Sequence, residues 1–219
     1  MTYMLAWSAA VVLSLLPLPG TPDEGIVTRP EYRVGDAWTY ERLDKLRLDK
    51  SRAVRLRYTD EVVRVSDAEI EIHAHPAGRR GIFTPDLNIL QLGTVRYKPL
   101  IALRRFPLRV GDTWKERYDF QPANAIARPI QSQLSGEVLG WESVTVPAGT
   151  FRCLKILVRI HSLGMGSKGV AQSFDGDETR TECWSPDVKW FVRMEYQSFW
   201  AANPTRHDIF ELIEFKPGR

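Results

Sequence analysis

The feature that most constrains the fold is a turn flanked by two alternating runs, at residues 144–151. Pro147 has the φ value that suits the second position of a type I turn, and Gly149 falls at the fourth, where glycine is favoured. Glycine also adopts the left-handed conformation that forms a bulge after such a turn. Apolar and polar residues alternate before the turn, at 144–146, and after it, at 153–160. This pattern predicts a β-hairpin.

Two copies of a Val-Gly-Asp-x-Trp box lie upstream of the hairpin, at residues 34–38 and 110–114. Extended by the preceding arginine, the two six-residue stretches match at five of six positions. Each box leads into a run that contains aromatic residues, so each predicts a turn followed by a strand. We interpret the boxes as structurally equivalent, and an internal duplication of a half-domain stays open.

Short apolar runs cut by 15 glycines and 14 prolines continue along the chain. The apolar set changes parity near Asp60, which predicts a bulge or a turn there. The less regular stretch from Arg79 to Phe106 is interpreted as a crossing segment with one helical turn. In the C-terminal half, strands are predicted at about 133–146, 151–162, 178–185, 188–200 and 206–216. Together these patterns predict an all-β fold.

The chain is 219 residues long and 43% hydrophobic, which suits one domain with one core. We predict a signal peptide or N-terminal apolar segment at residues 1–20, a linker at 21–30 and a single β domain at 31–219. The segment lacks a preceding basic residue and a clean cleavage site, so a buried helix or a wrongly assigned start stays open. We favour export, which makes the protein periplasmic or secreted.

Charge argues against a nucleic-acid partner, and hydropathy argues against a transmembrane helix. The net charge of +3, with acids and bases interspersed, is too small to indicate a nucleic-acid partner. Beyond the N-terminus no segment is long and apolar enough for a transmembrane helix, so we expect no transmembrane domain after signal removal.

Three stretches, at residues 106–114, 144–151 and 184–188, resemble the bacterial exported β-proteins of unknown function that include the DUF3108 group. The resemblance covers the C-terminal half of the chain, and the N-terminal half only through the first box. It implies an antiparallel, strongly curved sheet in an envelope or periplasmic protein, without an established catalytic motif. We therefore expect a half-barrel or open barrel, with two similar half-sheets at about 31–105 and 106–219, and we carry over no functional residue.

Two histidines form a weak candidate for a metal site. His73 and His75 alternate with apolar residues on a predicted strand, so both face the same side, together with Glu69 and Glu71. They could supply a two-imidazole half-site with a carboxylate as third ligand. The spacing matches no zinc signature, and a solvated strand face explains it better. We predict neither a metal nor a cofactor.

The chain contains two cysteines, Cys153 and Cys183. In an exported protein a disulfide between them is plausible. Antiparallel pairing centred near Lys168 would place them opposite each other, although directly opposed strand cysteines often have awkward bridge geometry. A disulfide and two buried free thiols both stay open.

Tryptophans give the candidate ligand-binding residues. Trp114, Trp141, Trp190 and Trp200 could line the concave apolar face of a curved sheet, or they could simply fill the core. We predict a non-enzymatic envelope protein that binds a lipid or another apolar or amphiphilic ligand, or a partner protein. The alternative is a secreted hydrolase acting on an envelope polymer, which requires a cleft where a histidine or paired carboxylates converge.

Overall fold

The computed structural model describes residues 25–46, 55–120, 129–164 and 174–219. The predicted apolar segment at 1–20, residues 21–24 of the predicted linker and the glycine-rich stretch at 165–169 lie outside these residues. The strands are β1 (Ala37–Asp44), β2 (Arg55–Val65), β3 (Ile70–His75), β4 (Arg79–Phe83), β5 (Ile89–Leu92), β6 (Val95–Ile101), β7 (Thr113–Phe120), β8 (Ile130–Val146), β9 (Gly149–Gly164), β10 (Phe174–Ser185), β11 (Trp190–Trp200) and β12 (Asn203–Lys216).

All twelve strands form one antiparallel sheet that closes into a barrel. Strands follow one another around the barrel, and β1 pairs with both β2 and β12. The predicted all-β class with a curved antiparallel sheet is confirmed, and the curvature continues to closure instead of leaving a half-barrel or open barrel. Closure removes both edges of the sheet. Within the described ranges, no helix has the length and apolar character needed to cross a membrane.

The five strands predicted in the C-terminal half are confirmed, each within about four residues of its predicted ends. The interpretation of residues 79–106 as a crossing segment with a helical turn is wrong. The stretch forms the short strands β4, β5 and β6, which pair in order between β3 and β7. These strands are too short to show a clear alternation of apolar and polar residues. The predicted irregularity near Asp60 is a bulge between Val62 and Arg64.

The two Val-Gly-Asp-x-Trp boxes form the same turn. In each turn the aspartate accepts a hydrogen bond from the amide of the arginine three residues earlier, Arg33 to Asp36 at 2.8 Å and Arg109 to Asp112 at 2.7 Å. Each aspartate amide donates back to the carbonyl of that arginine. The intervening glycines have φ values of 89° and 86°, which side chains with a Cβ rarely adopt.

The equivalence extends into the neighbouring strands. The box glycine donates to a valine carbonyl at 2.8 Å in both halves, to Val62 on β2 and to Val138 on β8. Each valine amide returns a bond of 2.9 Å to the carbonyl of the box aspartate, and each valine is followed by a bulge. The predicted equivalence of the boxes is confirmed. The two boxes therefore share a turn, its bonds to the neighbouring strand and the bulge that follows, and an internal duplication stays a prediction.

The hairpin formed by β8 and β9 crosses one end of the barrel. Its two-residue turn, Pro147-Ala148, joins Val146 to Gly149 as predicted. The amide of Ala148 donates to the carbonyl of Leu212 on β12, at 3.0 Å, although three strands separate β8 from β12 in the barrel order. The hairpin tip therefore covers the end of the barrel at which the first box lies.

Gly149 has a φ of 135°, which supports the predicted turn. We expect Gly149→Val to lower the free energy of unfolding by about 1 kcal/mol or more, because a β-branched residue is strained at this φ. Urea unfolding of the variant and the wild type measures the difference. Thr150→Val, which places the same side chain on the next residue, is the control. An unfolding midpoint unchanged by Gly149→Val would refute the turn assignment.

Candidate functional site

A cavity of about 570 Å³ lies within the barrel, among strands of its N-terminal half and β10 to β12. Its buried part, which we call the floor, consists mainly of apolar side chains. The floor residues are Ile72, Phe83, Leu87, Ile89, Leu103, Trp190, Phe191, Met194 and Phe210. Aromatic contacts fix the floor: Trp190 packs edge-on against Trp38 at 4.8 Å, and Phe191 stacks on Tyr40 at 4.4 Å.

The cavity reaches the surface at the tips of two hairpins. The β3–β4 turn, at residues 76–78, and the β5–β6 turn, at Gly93, supply exposed lining residues, and we call this rim the mouth. Two large aliphatic side chains at the mouth, Leu56 and Leu92, are 51% and 41% exposed. The apolar surface of the floor therefore continues outwards to solvent.

The lining is rich in arginine. Seven arginines take part in it: Arg42, Arg57, Arg79, Arg80, Arg104, Arg180 and Arg206. Among the described lining residues, Asp60 is the one carboxylate. Five further carboxylates pair with these arginines from outside the lining, namely Glu41, Asp44, Glu71, Glu182 and Asp208. Among these groups seven positive charges face six carboxylates, which leaves an excess of one positive charge.

A buried ion cluster joins the cavity to the core. The side chains of Arg104 and Glu182 are each 1% exposed, and Glu182 also contacts Arg180. Arg104 donates a further bond of 3.2 Å to the carbonyl of Leu87. Burial tends to raise the pKa of Glu182, but the two guanidinium groups outweigh it and hold this pKa below its ordinary value. Glu182 is therefore a fixed negative charge that orients both arginines.

Asp60 is the titratable group of the cavity. Burial raises the pKa of its carboxyl from 3.8 to about 7, although Arg79 and Arg180 oppose the shift. Asp60 lies opposite Ala74 on β3, and its neighbour on the same face of β2 is Tyr58. Burial also raises the pKa of Tyr58 and of Tyr40, so both hydroxyls stay protonated where Asp60 titrates.

The four predicted tryptophans lie in different places. Trp190 lines the floor of the cavity. Trp114 is buried, donating from Nε1 to the carbonyl of Ala102 at 2.7 Å, and Trp141 is half-buried beneath the guanidinium of Arg152. Trp200, 47% exposed, ends β11. The structure therefore brings one of the four to the cavity, and it places Trp114 in the core.

The two predicted histidines lie outside the cavity. Nε2 of His73 is 3.0 Å from Glu71, whereas Nε2 of His75 is 3.8 Å from Glu61. The two imidazoles thus face different carboxylates. Neither belongs to a group of three potential metal ligands within the part of the chain that the structure describes.

The structure joins Cys153 and Cys183 in a disulfide, with a Cα–Cα separation of 5.3 Å. The expected register is wrong by two residues, because Cys183 pairs with Lys155 and not with Cys153. The bridge therefore runs diagonally between β9 and β10, which avoids the awkward geometry of directly opposed cysteines. It attaches the β8–β9 hairpin to the barrel wall near the point where the hairpin crosses the barrel end.

Sequence reasoning missed the charged residues of the cavity. Arg104 lies in the segment after β6, and Arg180 and Glu182 alternate along β10. A charged residue on a strand ordinarily indicates a solvated face, so no local pattern distinguishes them. The change of parity near Asp60 was the one available signal, and it indicated a bulge without indicating a buried carboxyl.

No family model and no curated protein sequence matches the chain. Several solved structures are similar to it, among them the three that follow. A candidate lipoprotein from Parabacteroides distasonis is 17% identical with a TM-score of 0.48, and a candidate exported protein with a YmcC-like fold from Bacteroides fragilis is 14% identical with a TM-score of 0.49. Each comparison covers 88% of this chain and 100% of the other. The hypothetical lipoprotein YmcC from Escherichia coli is 8% identical, with a TM-score of 0.46 over 82% of this chain and 85% of the other. The resemblance to the DUF3108 group stays a prediction.

Proposed function

We propose that the protein is an exported binding protein that holds an apolar or amphiphilic small molecule in the barrel cavity. The observation that carries this proposal is a cavity of about 570 Å³ with an apolar floor and an open mouth. This volume falls in the range of roughly 300–1,000 Å³ that is typical of small-molecule sites. The exposed side chains of Leu56 and Leu92 extend the apolar surface along the path by which such a ligand would enter.

The lining supports binding over hydrolysis. No histidine is among the described lining residues, and Asp60 is the one carboxylate. Glu182 lies behind the lining, where Arg104 and Arg180 hold its charge. The described part of the lining thus presents no pair of groups that could act as general acid and general base in turn. The Cys153–Cys183 disulfide supports the exported part of the proposal, because such bridges persist in oxidising compartments.

Filling the cavity should weaken ligand binding. We expect the uncharged fluorophore N-phenylnaphthylamine to bind the wild-type protein, and Ala74→Trp to weaken that binding about tenfold or more, because Ala74 lines the cavity. Ala77→Trp, at an exposed position of the mouth, should weaken it without disturbing the core. Ala68→Trp is the matched control, since Ala68 is exposed in the β2–β3 connection and lies outside the lining.

Fluorescence titration measures the three affinities, and thermal melts show whether each variant is folded. Equal binding by the wild type, Ala77→Trp and Ala68→Trp would overturn the proposal. So would a wild-type protein that does not bind the fluorophore.

A further inference from the structure

We propose that the ligand is a single-headed anionic amphiphile, a carboxylate or a phosphate monoester, whose head group lies against Arg79 and Arg180 while its apolar part occupies the floor. This inference rests on the proposed function and specifies its ligand. The volume and the apolar floor would accept any apolar molecule of suitable size. The distribution of charge over the lining selects among such molecules.

Positive charge exceeds negative charge around the cavity. Even with Asp60 ionised, the seven lining arginines exceed by one the described carboxylates that lie among them or pair with them. Two of those carboxylates are shared with arginines outside the lining, since Glu41 also contacts Arg55 and Glu71 also contacts Arg64. An anionic ligand would supply the missing charge, and a cationic one would be repelled.

The two arginines that act on Asp60 indicate where the head group lies. Arg79 forms no ion pair with the residues that the structure describes, and it influences the carboxyl of Asp60. Arg180 shares one carboxylate, Glu182, with Arg104. Guanidinium groups bind carboxylate and phosphate oxygens through paired N–H donors, so two groups around one site favour an oxyanion. The head group is thereby placed between the floor and the mouth.

Asp60 makes this binding dependent on pH. Arg79 on β4 and Arg180 on β10 face it, while the hydroxyls of Tyr40 on β1 and Tyr58 on β2 remain neutral. Below a pH of about 7 the Asp60 carboxyl is protonated, and both arginines are available to the ligand. Above that pH the carboxylate competes with the ligand for them. The arginines stay charged throughout, and so does Glu182, whose pKa is lowered. Affinity for an anion should therefore fall as the pH rises.

The test uses ligands that differ in the head group alone. Decanesulfonate is charged at every pH used, decanol is its neutral counterpart, and decyltrimethylammonium is its cationic counterpart. The affinity of each ligand is measured by its displacement of N-phenylnaphthylamine from the protein. The measurements are made at about pH 5.5 and about pH 8.5, on either side of the pKa of Asp60. Decanoic acid and decyl phosphate, measured in the same way, distinguish a carboxylate ligand from a phosphate ligand.

At the lower pH we expect decanesulfonate to bind about tenfold more tightly than decanol, and decyltrimethylammonium to bind least tightly. The preference for the sulfonate should fall several-fold at the higher pH in the wild type and should stay constant in Asp60→Asn. Arg79→Gln should lose most of the preference while still binding decanol. Arg96→Gln, at an exposed arginine of β6 outside the lining, should behave as the wild type.

Equal affinities for decanesulfonate and decanol in the wild type would overturn the anionic ligand while leaving the proposed function intact. A pH dependence that persists in Asp60→Asn would overturn the role of Asp60. Failure of the neutral fluorophore itself to bind would instead overturn the proposed function. The three failures are therefore distinguishable in one set of titrations.

Discussion

Replacing Glu182 with leucine is expected to lower the free energy of unfolding by about 3–5 kcal/mol, the largest effect that we predict. Glu182 is the carboxylate that Arg104 and Arg180 share, and its side chain is almost completely buried. Without it, two guanidinium groups would face each other in the core with their charges uncompensated. Arg104 would retain its bond to the carbonyl of Leu87, which is neutral and cannot replace the lost charge.

Equilibrium urea unfolding measures this loss. Glu211→Leu is the matched control, because Glu211 pairs with Arg193 at 3.7 Å on the surface and both side chains are about 40% exposed. The control should cost less than about 1 kcal/mol. A second comparison replaces the whole cluster, with Arg104→Met, Arg180→Met and Glu182→Leu combined, and should recover most of the stability. A loss for Glu182→Leu no greater than that of Glu211→Leu would contradict the buried cluster.

Replacing Gly136 with alanine is expected to lower the free energy of unfolding by about 1–3 kcal/mol, through overpacking. A Cβ at this position would lie 2.1 Å from two ring atoms of Trp114, the residue that pairs with Gly136 across β7 and β8. Trp114 cannot easily withdraw, because it is buried and its Nε1 is bonded to the carbonyl of Ala102. The strand therefore accepts glycine alone under this ring.

A double-mutant cycle isolates that contact. Phenylalanine lacks the indole atoms that an alanine would meet, so Gly136→Ala should cost much less in a Trp114→Phe background than in the wild type. Ser135→Ala, at the adjacent and partly exposed residue of β8, controls for the change to alanine. Equal costs of Gly136→Ala in both backgrounds would show that Trp114 is not the obstacle.

The two halves of the barrel differ at the residue that pairs with the box tryptophan. In the first half of the barrel, the residue that pairs with the box tryptophan is Asp60, opposite Trp38, and in the second half it is Gly136, opposite Trp114. Trp114 covers its glycine, whereas Trp38 packs against Trp190 and Phe215. The two halves share a turn and a bulge but differ at this pair, and the cavity opens on the side that carries the aspartate.

The turns could be predicted from the sequence because their hydrogen bonds are local. In the first box, the amide of Arg33 donates to the carboxylate of Asp36, so the turn closes within four residues. The second box repeats this bond. The strands of the C-terminal half could also be predicted, because β8 and β9 are long enough to show the alternation of apolar and polar residues. Such features depend on neighbours in sequence, and the predictions made from them are confirmed.

The cavity could not be predicted because its contacts join distant parts of the chain. Arg104 and Glu182 are 78 residues apart, and the indole of Trp38 bonds to the carbonyl of Val188 at a separation of 150 residues. The ligand-site prediction treated large aromatic residues as candidates, and the structure places one of them, Trp190, in the lining. The sequence pattern also does not predict a strand register that a bulge shifts, as the bulge beside Cys183 does.

The pairing of β1 with β12 has a consequence for how the chain reaches its native state. The first strand of the barrel cannot acquire its second neighbour until the last strand has been synthesised. Until then β1 and the most recently added strand each present unpaired amide and carbonyl groups, which favour association with other chains. Because this pairing joins residues far apart in sequence, it should also form slowly. A chain with this connectivity gains from remaining unfolded, or being held by a chaperone, until its C-terminal residues are available.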